Sequence, residues 1–391
     1  MKYLLEENKG IPASLLWILA TVSGVSVANL YYCQPLLNVM CTDLGISEFQ
    51  GNLIPMITQI GYALGLLFII PLGDLYDRRR IIVLNFAVLT LSMSAIGFLS
   101  DIRLIYVASL FTGICSVMPQ IFIPIASQFS EPRHKARNVG ILVSGLLTGI
   151  LASRFVSGVV GEAFGWRTMY HLAAVFMVGS IFVVLRTLPD MPSNYSGSYG
   201  GLMRSLLKLY VSTPKLRVVS IRAGLCFGSF LALWACLSFK LSEAPFFAGN
   251  DVIGLLGLCG VAGAVTASYV GSCVSRFGVR RLNYVGCALM LASWAVMFVF
   301  QYYYLGYIVG IILLDIGMQC IQISNQTCAL SLNQHASNRV NTIFMTTYFI
   351  GGSFGTFLSG AMWDFSGWAG TVMAGVSLIV LSLFITLFTK D

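Results

Sequence analysis

Ionisable side chains lie inside long apolar stretches of this sequence, and two of them could do chemistry. Arg154 stands in ILVSGLLTGILASRFVSGVVG and Asp315 in GYIVGIILLDIGMQCIQI. An uncompensated charge at the bilayer centre costs about 2.5–3.5 kcal/mol on insertion scales, so it usually faces a water-filled cavity. A carboxylate whose protonation changes as such a cavity opens and closes can carry protons. We interpret Asp315 as a proton carrier and Arg154 as its partner or as an anion ligand; the alternatives are a structural polar contact and a lipid-headgroup contact, respectively.

Polar side chains follow Asp315 along one face of the same predicted helix. Positions 315, 319, 322 and 326 recur at spacings of four, three and four, which places them on one helical face. Such a stripe on an apolar helix suits a cavity, although interhelical hydrogen bonds that fix packing produce the same pattern. Together with polar and aromatic side chains of other apolar runs, these positions predict a substrate site made of Asn29, Tyr32, Gln34, Gln59, Tyr62, Gln120, Arg154, Trp234, Asp315, Gln319, Gln322, Asn325, Gln326, Asn341 and Tyr348.

The composition places these residues in a membrane protein. Of the 391 residues, 57% are hydrophobic and 10% are charged, whereas a water-soluble domain carries about 25% charged residues. The apolar runs are about 20 residues long, which is enough to cross the hydrocarbon core as α-helices. We therefore predict an all-α membrane protein with twelve spans, numbered in chain order: roughly 13–40, 50–72, 81–99, 104–126, 139–161, 167–187, 217–239, 252–272, 282–301, 305–328, 340–361 and 368–388.

The basic residues predict the topology of these spans. With the N-terminus inside, the inner segments hold 18 Lys and Arg residues and the outer loops hold 3. This positive-inside bias places both termini in the cytoplasm and accounts for the net charge of +8, so we expect no nucleic-acid partner. The ten cysteines include no C-x-x-C pair and the chain has no G-x-x-x-x-G-K-[ST] sequence, so we expect neither a metal site nor a cofactor.

The two halves of the chain repeat each other. Gly158 and Trp166 recur as Gly360 and Trp368 at an offset of 202 residues. A flexible connection follows span 6 and continues into an amphipathic segment that we expect to lie along the inner membrane surface. Two parallel repeats of six helices place a substrate site near the midplane between them. The predicted units are a six-helix bundle over 1–187, a cytoplasmic linker over 188–216 and a second six-helix bundle over 217–391.

Two loops carry a family signature. GDLYDRRR follows span 2 and GSCVSRFGVRR follows span 8, and both resemble the loop G-x-x-x-D-R-x-G-R-R of the major facilitator superfamily. Stretches such as ANLYYCQPLL and LLDIGMQCIQISNQT resemble a bacterial, drug-exporter-like branch of the drug:proton antiporter type. The resemblance implies the major facilitator fold, alternating access, and a cytoplasmic gating latch formed by Gly73, Asp74, Asp77, Arg78, Arg79, Arg80, Gly271, Arg276, Arg280 and Arg281.

The sequence departs from that branch in spans 4 and 5. Ser109 stands where related proton-coupled exporters carry an arginine. The antiporter motif G-x-x-x-G-P of span 5 appears as Gly145-x-x-x-Gly149 followed by Ile150, so its proline is missing. Arg154 lies about one turn further along span 5, and we hypothesise that it supplies the missing positive charge.

These patterns predict a secondary active transporter of the bacterial inner membrane and not an enzyme. The expected partners are a small organic substrate, amphipathic or partly anionic, together with protons and membrane lipids, and we expect a monomer. Proton-coupled efflux by alternating access is the first hypothesis. A facilitator or a proton symporter that imports a metabolite is the second, because the antiport features are incomplete. A lipid-handling scramblase or an intramembrane enzyme is a distant third.

Overall fold

The computed structural model describes residues 5–189, 191, 197–333 and 336–389, and these residues contain helices and no strand. Two short 3-10 turns, Gln34–Leu36 and Gly257–Gly260, accompany the α-helices. The α-helices are α1 (Ala13–Ala28), α2 (Leu37–Leu44), α3 (Glu48–Phe68), α4 (Leu72–Leu75), α5 (Arg78–Phe98), α6 (Ile102–Cys115), α7 (Pro119–Phe129), α8 (Lys135–Phe164), α9 (Trp166–Thr187), α10 (Tyr199–Ser212), α11 (Pro214–Ser242), α12 (Asn250–Leu256), α13 (Val261–Phe277), α14 (Val279–Val299), α15 (Tyr304–Ser331) and α16 (Ser337–Phe388).

The twelve predicted spans are confirmed, and several of them are interrupted. Ten helical stretches of the described residues are long and apolar enough to cross a membrane; α16, one of these, contains spans 11 and 12, and the shorter α1 begins span 1. Spans 1, 2, 4 and 8 each join two helices, namely α1 with α2, α3 with α4, α6 with α7, and α12 with α13. Helices α5, α8, α9, α11, α14 and α15 form spans 3, 5, 6, 7, 9 and 10. The side of the membrane on which the termini lie stays a prediction.

Glycines with positive φ make the turns between consecutive spans. Gly165 (φ 83°) separates spans 5 and 6, and Gly367 (φ 57°) separates spans 11 and 12. Glycine adopts this left-handed region without the steric cost that a Cβ would impose. Since Gly165 and Gly367 are related by the 202-residue offset, the repeat extends to the backbone conformation of the turns.

Small residues bring the helices within each half into close contact. A Cβ placed on Gly149 would lie 2.2 Å from the carbonyl oxygen of Gly24, so spans 1 and 5 approach this closely only without a side chain there. Spans 7 and 11 repeat the arrangement, since a Cβ on Gly355 would lie 2.1 Å from the Gly228 carbonyl oxygen. Close contacts of small residues hold membrane helices together without a hydrophobic driving force. The two halves meet where span 2 packs on span 11 and span 5 packs on span 8.

The connection between the halves contains helix α10. Ser198 caps this helix by accepting a hydrogen bond from the Gly201 amide at 3.1 Å. The Tyr199 hydroxyl donates to the carbonyl oxygen of Phe68, which ties the helix to span 2. Leu202 and Leu206 are buried and help to line a cavity between the halves. The linker helix therefore covers part of that cavity, in addition to any contact with the membrane surface. The bundle boundaries at 187 and 217 stay predictions.

Candidate functional site between the two halves

A cavity of about 640 Å³ lies between the two halves. Spans 2, 4, 5, 8, 10 and 11 and helix α10 supply its walls. Asp74, Arg78 and Arg339 line its mouth, at the end of the molecule that carries the basic signature loop. Cavities that bind small molecules usually measure about 300–1,000 Å³, so this one has the size of a site for a small organic solute.

The opposite end of the interface is closed by two hydrogen-bonded contacts, which we call the clasps. In one, Glu162 of span 5 accepts hydrogen bonds from the backbone amide (2.9 Å) and the side chain (3.1 Å) of Asn250, at the start of span 8. In the other, the indole of Trp363 in span 11 donates to Glu48 at the start of span 2. Glu48 and Asn250 are each the first residue of their helix, α3 and α12 respectively. Each clasp joins one half to the other, so the cavity is open at one end only.

Arg154 lies at the junction of the halves, 3% exposed. Its Nε donates to Gln34 Oε1 at 2.7 Å. Its guanidinium stacks over Trp234 at 4.1 Å and lies 5.0 Å from the ring of Tyr31, which are cation–π distances. Nη2 has no hydrogen-bond partner among the described residues. Spans 1 and 7 therefore hold the arginine in place but leave part of its hydrogen-bonding capacity unused.

Asp315 is buried in span 10, 7% exposed, and its Oδ2 has no hydrogen-bond partner among the described residues. The interrupted part of span 8 passes beside both charged residues. A Cβ on Gly257 would lie 2.8 Å from Arg154 Cβ, and a Cβ on Gly263 would lie 3.1 Å from Asp315 Oδ1. Within the described part of the chain no ion pair joins the arginine to the aspartate. The glycine-rich backbone of span 8 therefore lies against both of the opposite charges.

The structure brings five of the predicted substrate-binding residues to the cavity wall. They are all carboxamides: Gln120 of span 4, Gln319, Gln322 and Gln326 of span 10, and Asn341 of span 11. Tyr348, also predicted, donates its hydroxyl to Gln322 Oε1 at 3.0 Å and so orients that amide. The polar stripe on span 10 therefore faces the cavity from Gln319 to Gln326, and Asp315 continues it one turn beyond the lining.

Other predicted residues lie away from the cavity lining. Asn29 donates to the carbonyl oxygens of Val25 and Ser26 within its own helix. Gln59 accepts from Thr356 across the two halves at 3.0 Å. The remaining ones are buried in helix contacts: Tyr32 in span 1, Tyr62 against Phe349 in span 2, and Gln34 and Trp234 against Arg154. These side chains hold helices together or position Arg154, and they do not line the cavity.

Comparison with known proteins identifies the family. A family model described as the Major Facilitator Superfamily matches residues 16–356. The chain belongs to the major facilitator superfamily. This major facilitator is accordingly a transporter and not an enzyme, and it is a multi-pass protein of the bacterial inner membrane. Among the described residues, no group of three or more His, Cys, Asp or Glu side chains could hold a metal ion.

Relatives of this major facilitator are transporters as well. It is 33% identical over 378 residues to an uncharacterized transporter, YgaY, of Escherichia coli O157:H7, covering 97% of this chain and 96% of the relative. It is 25% identical over 261 residues to the purine ribonucleoside efflux pump NepI of Shigella sonnei, covering 66% of this chain and 63% of the pump. A crystal structure of a bacterial homologue of the human lysosomal transporter Spinster has the same fold, with a TM-score of 0.77 at 12% identity and coverage of 96% and 95%.

The signature loops of this major facilitator make contacts within their own halves and with the linker. Asp77 caps α5 through the Arg80 amide at 3.0 Å and also accepts from the Met191 amide. Arg78 donates to the Gly73 carbonyl oxygen and to Gln128. Asp74 lies at the cavity mouth. Arg79 donates a hydrogen bond to the Leu185 carbonyl oxygen, and Arg280 donates to the Tyr284 hydroxyl and to the Leu387 carbonyl oxygen. The remaining latch residues of the second loop are exposed: Gly271, Arg276 and Arg281. Asp74 and Arg78 of the first loop line the cavity mouth together with Arg339 at the start of α16, and the residues of the second loop lie outside the lining.

A buried network in the second half was not predicted from the sequence. Arg222 of span 7 is 0% exposed and donates through Nε (2.9 Å) and Nη2 (2.6 Å) to Asn325 Oδ1. Asn325 in turn donates to Asn283 Oδ1 at 2.8 Å. Asn325 was predicted to bind substrate. Consecutive residues of an α-helix are rotated by about 100° around its axis, so the side chain of Asn325 points into the helix bundle while that of Gln326 faces the cavity. The signal for the network was Arg222 itself, a charged residue inside an apolar span.

We expect Asn325→Leu to destabilise the protein without altering the cavity lining. The substitution removes the acceptor of two hydrogen bonds from a buried guanidinium, which costs about 1–3 kcal/mol or more for a charged donor. The measurement is the unfolding temperature of purified protein in detergent. Thr327→Leu, at an exposed position of the same helix, serves as the control and should leave that temperature unchanged. An unfolding temperature of Asn325→Leu equal to that of Thr327→Leu would show that the network contributes nothing to stability.

Proposed function

We propose that this major facilitator exports a small organic molecule in exchange for protons, with Asp315 as the proton carrier. The proposal rests on Arg154 and Asp315, which are buried at the junction of the two halves. Among the described residues, Nη2 of the arginine and Oδ2 of the aspartate have no hydrogen-bond partner. A buried carboxylate without a hydrogen-bond partner for one oxygen is costly when ionised, so the residue has a physical reason to take up a proton. A buried structural aspartate would be expected to have its oxygens paired.

The geometry supports a mechanism of alternating access. In this conformation the clasps close one end and the cavity reaches toward the other. Asp315 lies one turn beyond Gln319, so it stands between the cavity and the closed end. If the clasps open and the cavity mouth closes, the carboxylate becomes accessible from the opposite side. A proton that binds Asp315 on one side can then be released on the other, while the substrate moves in the reverse direction.

Arg154 has a positioning role in this proposal. Gln34 and Trp234 hold its guanidinium in place, and a fixed positive charge favours the ionised carboxylate over the protonated one. When the halves move, the separation of Arg154 from Asp315 changes, because the two residues belong to different halves. The movement itself therefore alters how readily Asp315 holds a proton, which is what coupling requires.

Export is the direction favoured by one relative, the purine ribonucleoside efflux pump NepI. The alternative is a facilitator or a proton symporter that imports its substrate. Ser109 and Ile150 favour that alternative, because they stand where related antiporters carry an arginine and a proline. Both readings use the same cavity, and they differ in whether proton and substrate move in opposite directions, in the same direction or independently.

Proton movement in proteoliposomes tests the proposal. Purified protein is reconstituted with a pH-sensitive dye inside the vesicles, and candidate solutes are added one at a time. We expect a solute gradient to drive protons in the opposite direction only in vesicles that contain the protein. Proton movement in the same direction as the solute would replace export by symport. Solute transport without any proton movement would leave a facilitator and overturn the proposed coupling.

A further inference from the structure

The wall of the cavity offers many neutral hydrogen-bonding groups and few charges. Six carboxamides face it, five of them from helices α15 and α16 of the second half: Gln319, Gln322, Gln326, Asn338 and Asn341. The charged lining residues are Asp74, Arg78 and Arg339, all at the mouth. A charged solute that moved past the mouth would lose its water without meeting an opposite charge on the wall, which is costly. The lining therefore favours an uncharged solute.

The amides are arranged so that some of their hydrogen-bonding groups stay available. Gln326 donates to Asn341 Oδ1 at 2.9 Å, which leaves the Gln326 oxygen and the Asn341 amide group available to a ligand. Gln322 uses its oxygen to accept from Tyr348, which leaves its amide group. Gln319 makes no side-chain hydrogen bond within the described part of the chain. A carboxamide presents a donor and an acceptor side by side, so this wall matches a solute edge that carries both.

The facing wall is apolar. Spans 2 and 5 contribute Leu66, Ile70, Val143, Leu146 and Leu147, and they add no polar side chain beyond those at the mouth. A solute in this cavity would thus meet hydrogen-bonding groups on one side and aliphatic side chains on the other. Flat heterocycles have this distribution, with polar groups around the edge and apolar faces.

Building on the proposed transport function, we propose that the substrate is an uncharged heterocycle with neighbouring donor and acceptor groups, as in a nucleobase or nucleoside. Asn and Gln side chains bind such edges through two parallel hydrogen bonds, as they do with adenine. Gln319 and Gln322 supply the available amide groups, and the aliphatic wall of spans 2 and 5 covers the face of the ring. Arg154, which a partly anionic substrate would require, is outside the lining.

Binding to purified protein tests this inference independently of proton coupling. The probes are tritiated adenosine and uridine, with benzoate as an anionic competitor and tetraphenylphosphonium as a cationic one. We expect saturable binding of at least one nucleoside and no displacement by either ion. If neither nucleoside binds, or if benzoate or tetraphenylphosphonium displaces a bound nucleoside, the inference is overturned.

Substitutions of the amides locate the site. Gln319→Leu and Gln322→Leu are each expected to weaken nucleoside binding by at least about tenfold, the effect of losing one paired amide contact. Gln301→Leu is the matched control, because Gln301 lies in the loop before span 10 and outside the cavity. Equal binding by all three variants would place the nucleoside elsewhere and overturn the assignment of this wall.

The substrate class and the proposed coupling can fail separately. Saturable nucleoside binding and transport without proton movement would retain the substrate class and overturn the antiport mechanism. Proton-coupled movement of benzoate or tetraphenylphosphonium, with no nucleoside bound, would retain the coupling and overturn the substrate class.

Discussion

Asp315→Asn is expected to abolish the proton dependence of transport while solute still crosses the membrane down its own gradient. The substitution preserves the shape of the side chain but removes the group that exchanges a proton. Coupling free energies of about 1–3 kcal/mol change an affinity about 5–150-fold. We therefore expect the accumulation of solute driven by the pH gradient to decrease by a factor in that range. The measurement is solute flux into proteoliposomes with and without a pH gradient, for wild type and variant side by side.

Asp364→Asn provides the control for this experiment. Asp364 is exposed near the end of span 11, so the same chemical change there should leave the pH-gradient effect intact. Retention of full coupling by Asp315→Asn would assign the proton to another group and reduce Asp315 to a structural role. Loss of all transport, including downhill flux, would show instead that the carboxylate is needed for the conformational change itself.

Gly158→Ala is expected to prevent the clasped end from closing. A Cβ on Gly158 would lie 2.3 Å from the Asn250 carbonyl oxygen and 3.0 Å from Gly254 Cα, so spans 5 and 8 must move apart to accept the methyl group. Overpacking of this kind costs about 1–3 kcal/mol. Because the contact joins the two halves, the cost falls on this conformation and shifts the equilibrium toward one in which the clasps are open.

Hydrogen–deuterium exchange of reconstituted protein measures that shift. We expect faster exchange in Gly158→Ala at the clasped ends of spans 5 and 8, around residues 158–164 and 249–254, together with a large loss of transport. Gly179→Ala is the matched control, since a Cβ on Gly179 meets nothing within 4 Å. Unchanged exchange in Gly158→Ala would mean that the helices absorb the methyl group locally, and the contact would then not control access.

The sequence was sufficient to predict the twelve spans, the repeat and the polar stripe on span 10. Apolar runs of bilayer length and the charge bias between loops depend on local chain chemistry, which a single sequence displays directly. The spacing of Asp315, Gln319, Gln322 and Gln326 follows from helix geometry alone, and three of these four residues line the cavity. Helical periodicity predicts which residues share a face of a helix, and this face of span 10 lines the cavity between the halves.

Only the tertiary structure determined whether a polar helix face lines the cavity or packs against another helix. Asn29 and Asn325 have the same polar character as the cavity amides, yet they hydrogen-bond inside helix bundles, because interhelical packing determines which side of a helix is covered. Charge alone suggested a direct ion pair between Arg154 and Asp315. In the tertiary structure the backbone of span 8 lies alongside both residues, because its glycines allow a close approach. The positions of these residues depend on contacts between spans distant in the chain, and such contacts leave no periodic pattern in the sequence.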